Sequence, residues 1–182
     1  GHSMMIDGIA VNQRAWWLRV FNEILGLCRD HTPGLDLGMT DMPSVLHVVE
    51  AVHGESPTCH YGREATVAAI GPYRPDNYHP MPVMVSLTCK SETAEQFAVV
   101  MQLLIDQYKI HSAPLNGPLF TIGLDGDGVF WGACHIVLMK QVIEPLSKLG
   151  VKISGLNGLN KQTGDDDITM DPDPKHLVKR TL

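Results

Sequence analysis

Long apolar runs are missing from this 182-residue sequence. No stretch approaches the ~20 residues needed to span a bilayer, so no membrane is expected among its partners. An excess of basic residues is missing too. The 14 Lys and Arg face 20 Asp and Glu, giving a formal charge of −6. That balance argues against tight, sequence-indifferent binding of nucleic acid by the whole surface, while leaving room for a local basic face. No positively charged segment followed by a long apolar stretch stands near the start, so no secretory signal is visible. Cys-x-x-Cys pairs are absent as well. Cys28, Cys59, Cys89 and Cys134 lie far apart, which predicts reduced thiols in a nuclear or cytoplasmic protein. Internal repeats and low-complexity blocks are lacking.

What is present is a globular composition, 44% hydrophobic and 19% charged. A single domain of this length hides roughly 70% of its unfolded surface, which excludes wholesale disorder, collagen and coiled coil. Gly1-His2-Ser3-Met4 reads as a tag remnant and is set apart from the fold. Two Cys-His neighbours occur, Cys59-His60 and Cys134-His135. Adjacent residues rarely both reach one tetrahedral zinc, so these read as buried cysteines beside ordinary histidines.

The pattern predicts strands over 5–11, 22–28, 65–70, 83–89 and 119–124, with Trp16 and Trp17 in a connection and a loop over 30–42. Helices are expected over 43–52 and 91–108. In the second, Phe97, Val100, Met101, Leu104 and Ile105 form one stripe, with Ser91 or Thr93 as cap. A further long helix is expected over about 129–149, ended or bent by Pro145. Several strands, a helix, then a strand and a helix imply an α/β domain around a mixed sheet. The core is placed at 5–155, followed by an acidic loop and a basic helix start over 156–182.

The acids carry the chemistry. Asp7 interrupts an apolar strand, where a lone carboxylate is expensive unless paired, hydrogen-bonded or bound to a cation. Asp125 stands where another apolar strand ends, the usual place for ligand sites in open α/β sheets. If the two strands are parallel neighbours, the carboxylates approach each other and repel unless a divalent ion lies between them. Oxygen donors of this kind suit Mg²⁺ or Mn²⁺, and Asp127 is a third candidate ligand. Two such ions ~3.5–4 Å apart stabilise the attacking and leaving oxygens of phosphodiester chemistry. The competing reading makes Asp125-Gly126-Asp127-Gly128 a turn with a helix cap and places Asp7 at a frayed terminus.

Several stretches resemble transposases whose catalytic domain has the RNase H fold, most closely P-element-type enzymes and their fungal relatives. They are Met5-Ile6-Asp7-Gly8-Ile9-Ala10 leading to Ile24-Leu25-Gly26-Leu27-Cys28-Arg29-Asp30-His31, then Leu124-Asp125-Gly126-Asp127, and Asp171-Pro172-Asp173-Pro174-Lys175-His176-Leu177-Val178-Lys179-Arg180. Arg63 to Gly71 and Ser86 to Thr93 also look like that group, so the similarity covers most of the chain. The resemblance implies an α/β fold with an RNase H-like mixed sheet flanked by helices. It places the first catalytic acid on the first strand, at Asp7, and the second at the end of the fourth, at Asp125. It also sets His176 near DNA or the active site, with Lys175, Lys179 and Arg180 available to phosphates. The bland reading of those four residues is a solvated helix start.

Two departures stand out. Gly8 follows Asp7 where the group has an acid, and the third catalytic acid is expected downstream of the His-Leu-x-Lys segment. Glu144, Asp165, Asp166 and Asp167 have no positional match to it. The polypeptide as given is therefore expected to lack a complete strand-transfer site. The implied partner is DNA, held weakly through this domain alone, with a homo-oligomer left open. A non-catalytic interaction or scaffold module is the alternative. A haloacid-dehalogenase-type phosphatase, with Asp125 as nucleophile and Asp127 as acid/base, fits poorly because that motif normally opens its domain. An EF-hand fails at Val129, which occupies a ligand position.

Overall fold

A computed structural model of the chain describes residues 1–74, 76 and 78–172. Its elements in order are β1 (His2–Ala10), β2 (Trp16–Leu18), β3 (Glu23–Leu25), α1 (Met42–His53), β4 (Glu64–Pro72), β5 (Met81–Thr88) and α2 (Ala94–Gln107). After a π-helical turn (Tyr108–Ser112) come α3 (Ala113–Asn116), β6 (Leu119–Leu124), α4 (Gly128–Leu138), β7 (Gln141–Val142), α5 (Lys148–Ile153), β8 (Gln162–Thr163) and β9 (Thr169–Pro172). Five strands form one sheet in the order β5-β4-β1-β6-β9, and the pairs β2-β3 and β7-β8 make two small ribbons.

The sheet is mixed. β1 runs parallel to β6, and β6 parallel to β9. β4 runs against β1, as the bonds Val11 N–H to Arg63 O (3.0 Å) at one end and Tyr73 N–H to Gly1 O (3.1 Å) at the other require. β5 likewise runs against β4, since Arg63 N–H donates to Thr88 O at 2.8 Å. The expected α/β class is what the chain adopts.

Two compact units divide the residues. One comprises Gly1–Asp7 and, among the described residues, those within Ala68–Val83 and from Thr93 onward; the other comprises Gly8–Val67 and Met84–Glu92. In the first, alternation along β1 and β6 sends Met4, Ile6, Ile122 and Leu124 to the interior, each at most 4% exposed. Phe97, Met101 and Ile105 from α2 and Phe130, Ala133, Val137 and Leu138 from α4 are buried with them. The rings of Phe97 and Phe130 stack at 4.6 Å between centroids. Gly132 lets the helices approach closely, because a Cβ there would overlap the Ala94 methyl. Thr93 caps α2 through a reciprocal box with Gln96, which satisfies end N–H groups that have no partner within the helix.

The second unit has a smaller apolar cluster. Leu27, Val48 and Cys59 form its buried part, with Ile24, Leu35, Leu37, Met39 and Val52 packed around them. Asp41 and Ser44 cap α1 in the same reciprocal manner, with Pro43 in its first turn.

Three expectations need correction. The long helix over 129–149 stops at Leu138; Gln141–Val142 pairs with Gln162–Thr163, and Ile143 is buried. Apolar spacing persists past Leu138, but ladder bonds to residues far along the chain prevail over the helix. Trp16 and Trp17 are strand residues facing Leu25 and Ile24, not a connection. The first strand also starts at His2, so the leading residues set apart from the fold pair with β6 from Leu119 onward.

Candidate functional site

Parallel pairing of β1 with β6 decides where the acids stand. Ile6 faces Leu124 in the register, so Asp7, within β1, and Asp125, the first residue past β6, each follow one member of that pair. Asp7 follows a buried strand residue and therefore projects to the opposite face of the sheet, while Asp125 opens the turn that leads to α4. The condition set on the sequence, that β1 and the 119–124 strand be parallel neighbours, is met. The cost assigned to Asp7 does not apply, because its side chain is exposed rather than enclosed. Asp125 is half-buried.

β9 brings a third carboxylate that the sequence pattern alone does not single out. Asp171 faces Gly123, and Gly123 in turn faces Met5. By alternation Asp171 lies on the same face as Asp7, two residues back along the strands. In the sequence the stretch from Asp171 reads as the approach to a helix, and only strand pairing reveals the place of Asp171 in β9.

Asp127 takes a different part. Its Oδ1 accepts from Val129 N–H at 2.8 Å, making it the cap of α4, and its own N–H donates to Asp125 Oδ1 at 3.0 Å. The turn-and-cap reading is thus realised, and one oxygen of each carboxylate is committed to it. The basic candidates Lys175, His176, Lys179 and Arg180 lie outside the described residues.

A second constellation sits in the other unit. Cys28, His31 and Cys89 form the one group of three or more potential metal donors, among the described residues, whose donor atoms all lie within 4.8 Å of one another. Cys28 Sγ lies 3.3 Å from His31 Nδ1, and Cys89 Sγ lies 3.7 Å from the same nitrogen. The Cys89 N–H donates to Cys28 Sγ at 3.2 Å. Burial pushes the Cys28 thiol up to about 11. At Cys89 burial acts in the same sense, but hydrogen bonds from Ser91 and Cys28 outweigh it and hold that thiol below its ordinary value. Cys28-x-x-His31 is the only local hint in the sequence, since Cys89 arrives from far along the chain. The Cys134 thiol, by contrast, is enclosed and pushed up to about 12 by burial alone, as an inert core cysteine should be.

Among solved structures, the Drosophila P element transposase strand transfer complex resembles this chain. The match has a TM-score of 0.49 and 8% sequence identity, and covers 99% of this chain and 28% of that one. This chain therefore spans little more than a quarter of the protein it matches. No protein-family model matches the sequence, and no curated protein does. No described helix is long and apolar enough to cross a membrane.

Proposed function

We propose that this chain is an RNase H-like, transposase-type domain in which Asp7 and Asp125 hold a divalent cation for cleavage or joining of DNA. The observation that supports the reading is the Ile6–Leu124 register between parallel strands, since Asp7 and Asp125 each follow one member of that pair. In chain order β6 is the fourth of the five sheet strands, the position at which such families carry their second acid.

The donors fit a hard ion. Exposed and half-buried carboxylate oxygens suit Mg²⁺ or Mn²⁺, and no sulfur or imidazole is needed there. When bound, the ion would supply Lewis-acid stabilisation of phosphoryl oxygens and lower the pKa of a bound water. The chain's own contribution is placement. Asp7 would present its oxygens from β1 and Asp125 from the start of the turn after β6, and Asp127 fixes that turn by capping α4. Asp171 adds negative charge on the same face as Asp7. In this reading Lys175, His176, Lys179 and Arg180 serve contacts to nucleic acid, and those to phosphate position a duplex without reading its sequence.

A non-catalytic interaction module is the second reading. What favours it is that Asp125 and Asp127 each commit an oxygen to the turn, as a purely structural pair would. Metal titration separates the two. Under the catalytic reading, millimolar Mg²⁺ or Mn²⁺ raises the melting temperature, and a ligand at about 100 times its Kd adds about 2.7 kcal/mol. The shift is lost in Asp7→Asn and in Asp125→Asn, and so is nicking of supercoiled plasmid. Indifference of the parent chain to both ions, together with intact plasmid, would leave the interaction module.

A further inference from the structure

We propose that Cys28, His31 and Cys89 bind a zinc ion, with His60 as the fourth ligand, and that this site fastens the end of β5 to the loop after β3. The site uses neither Asp7 nor Asp125, so its failure would leave the reading of those acids untouched.

Distances support the assignment. Zinc bonds of about 2.3 Å to sulfur and about 2.0–2.1 Å to imidazole nitrogen, at a tetrahedral angle, place sulfur and nitrogen about 3.6 Å apart. The two sulfur–nitrogen separations here are 3.3 and 3.7 Å. Both match an edge of that tetrahedron, so an ion could enter with little movement of the three side chains. The backbone arranges this. His31 N–H donates to Cys28 O at 3.1 Å, closing a turn that brings the Cys-x-x-His pair to one side. Arg29 N–H donates to Leu87 O at 2.8 Å, which ties that turn to β5 and so to Cys89.

Outer contacts point the same way. The Cys89 N–H aimed at Cys28 Sγ and the Ser91 hydroxyl 3.0 Å from Cys89 Sγ are donors of the kind that stabilise metal-bound thiolates. The fourth position has a candidate in His60, an exposed side chain outside the three-donor group that would turn toward the ion. His60 meets His31 edge to face at 4.5 Å between ring centroids, and its neighbour Cys59 is already held in the apolar cluster. His60 and Cys89 both line a cavity of about 510 Å³ with Cys59, Arg63, Lys90 and Ser91, through which an ion can enter.

Soft thiolate with imidazole selects zinc over magnesium or calcium. Binding deprotonates both thiols, the protons passing to solvent, and no electron is transferred. The need for such a fastener is physical: the unit's apolar cluster is small, and small cores commonly rely on a metal or a disulfide.

The test uses the full 182-residue chain, isolated without oxygen, stripped with chelator, and titrated with Co²⁺ as a spectroscopic substitute. Expected is saturation at about one ion per chain, with tetrahedral d–d bands and a near-ultraviolet thiolate charge-transfer band, both erased by Zn²⁺. Cys89→Ser should lower the charge-transfer intensity by about half, and His31→Ala and His60→Ala should each weaken binding by tenfold or more. Chelator should lower the melting temperature of the parent chain by more than that of Cys89→Ser, whose remaining site binds more weakly. Cys28→Ser removes a fully buried group and risks misfolding, so the partly exposed Cys89 and His31 decide the matter. A parent spectrum identical to that of aqueous cobalt, or an obligatory Cys28–Cys89 disulfide in the anaerobic protein, would overturn the proposal. Cobalt binding that survives Cys89→Ser and His31→Ala unchanged would do the same.

Discussion

Replacing Arg29 by Met probes the one ion pair, among the described residues, whose two side chains are both largely withdrawn from water and in close contact. Arg29 and Glu92 keep 14% and 5% of their side-chain exposure. The guanidinium meets both carboxylate oxygens, Nε at 3.3 Å and Nη2 more closely, and Nη1 donates to Thr66 Oγ1 at 3.1 Å. Arg29→Met keeps much of the aliphatic stem and strands the Glu92 charge. Removing one partner of such a pair costs about 3–5 kcal/mol, because the remaining charge stays enclosed without compensation. For a chain of this size that is a fall in melting temperature on the order of 10 °C.

Two controls separate this cause from general damage. Arg29→Met with Glu92→Leu removes both charges, and since an apolar pair often replaces a buried ion pair without penalty, it should regain most of the loss. The second control is pH. Burial raises the Glu92 pKa, the Arg29 hydrogen bond and charge oppose that rise, and nearby Asp30 adds to it. A carboxyl whose folded pKa is raised favours the folded state most below its unfolded pKa, and that advantage fades as pH rises through the folded value. Without Arg29 the opposing effect is gone. The deficit of Arg29→Met against the parent chain should therefore be full at neutral pH and shrink as pH falls through the carboxylate range. Urea unfolding followed by tryptophan fluorescence at several pH values measures all of this. A deficit under about 1 kcal/mol, a deficit flat with pH, or a double variant no better than the single one would refute the reasoning.

Phe97→Ala should cost about 3–5 kcal/mol in urea unfolding, since it empties a site at 0% exposure and unstacks Phe130. Asp127→Ala should lose about 1 kcal/mol from the α4 cap while Asp127→Asn keeps it; a large loss of Mg²⁺-dependent stabilisation in Asp127→Asn would show that this carboxylate is also a ligand. Gly26→Ala should destabilise and lower the yield of folded protein, because Gly26 has φ +104 and an added Cβ would meet the Arg14 carbonyl oxygen; thermal melting checks it.

Much of the fold was legible because its cues are local. The stripe from Phe97 to Ile105 and the cap at Thr93 announce α2, and the apolar run from Leu119 to Leu124 followed by Asp-Gly-Asp-Gly announces β6 and a turn. What escaped depends on partners distant along the chain. Past Leu138 the hydrophobic spacing still reads as helix, and only the pairing of Gln141–Val142 with Gln162–Thr163 explains why it stops. The same holds for the sites. Asp7 and Asp125 stand out as candidates from strand position, whereas Asp171 needs the register of β9. Cys28 and His31 sit three apart in plain view, but a third donor from beyond β5 turns that pair into a cluster.

The strand that occupies the middle of the sheet is the earliest of the five to be synthesised. β1 cannot meet β4 until the ribosome has passed Glu64, and its other flank waits for Leu119 onward. Its buried side chains Met4 and Ile6 must therefore stay sheltered while more than a hundred further residues are added, and sheet assembly is dominated by long loop closures. Refolding in milliseconds to seconds, rather than microseconds, is the pace such wiring imposes.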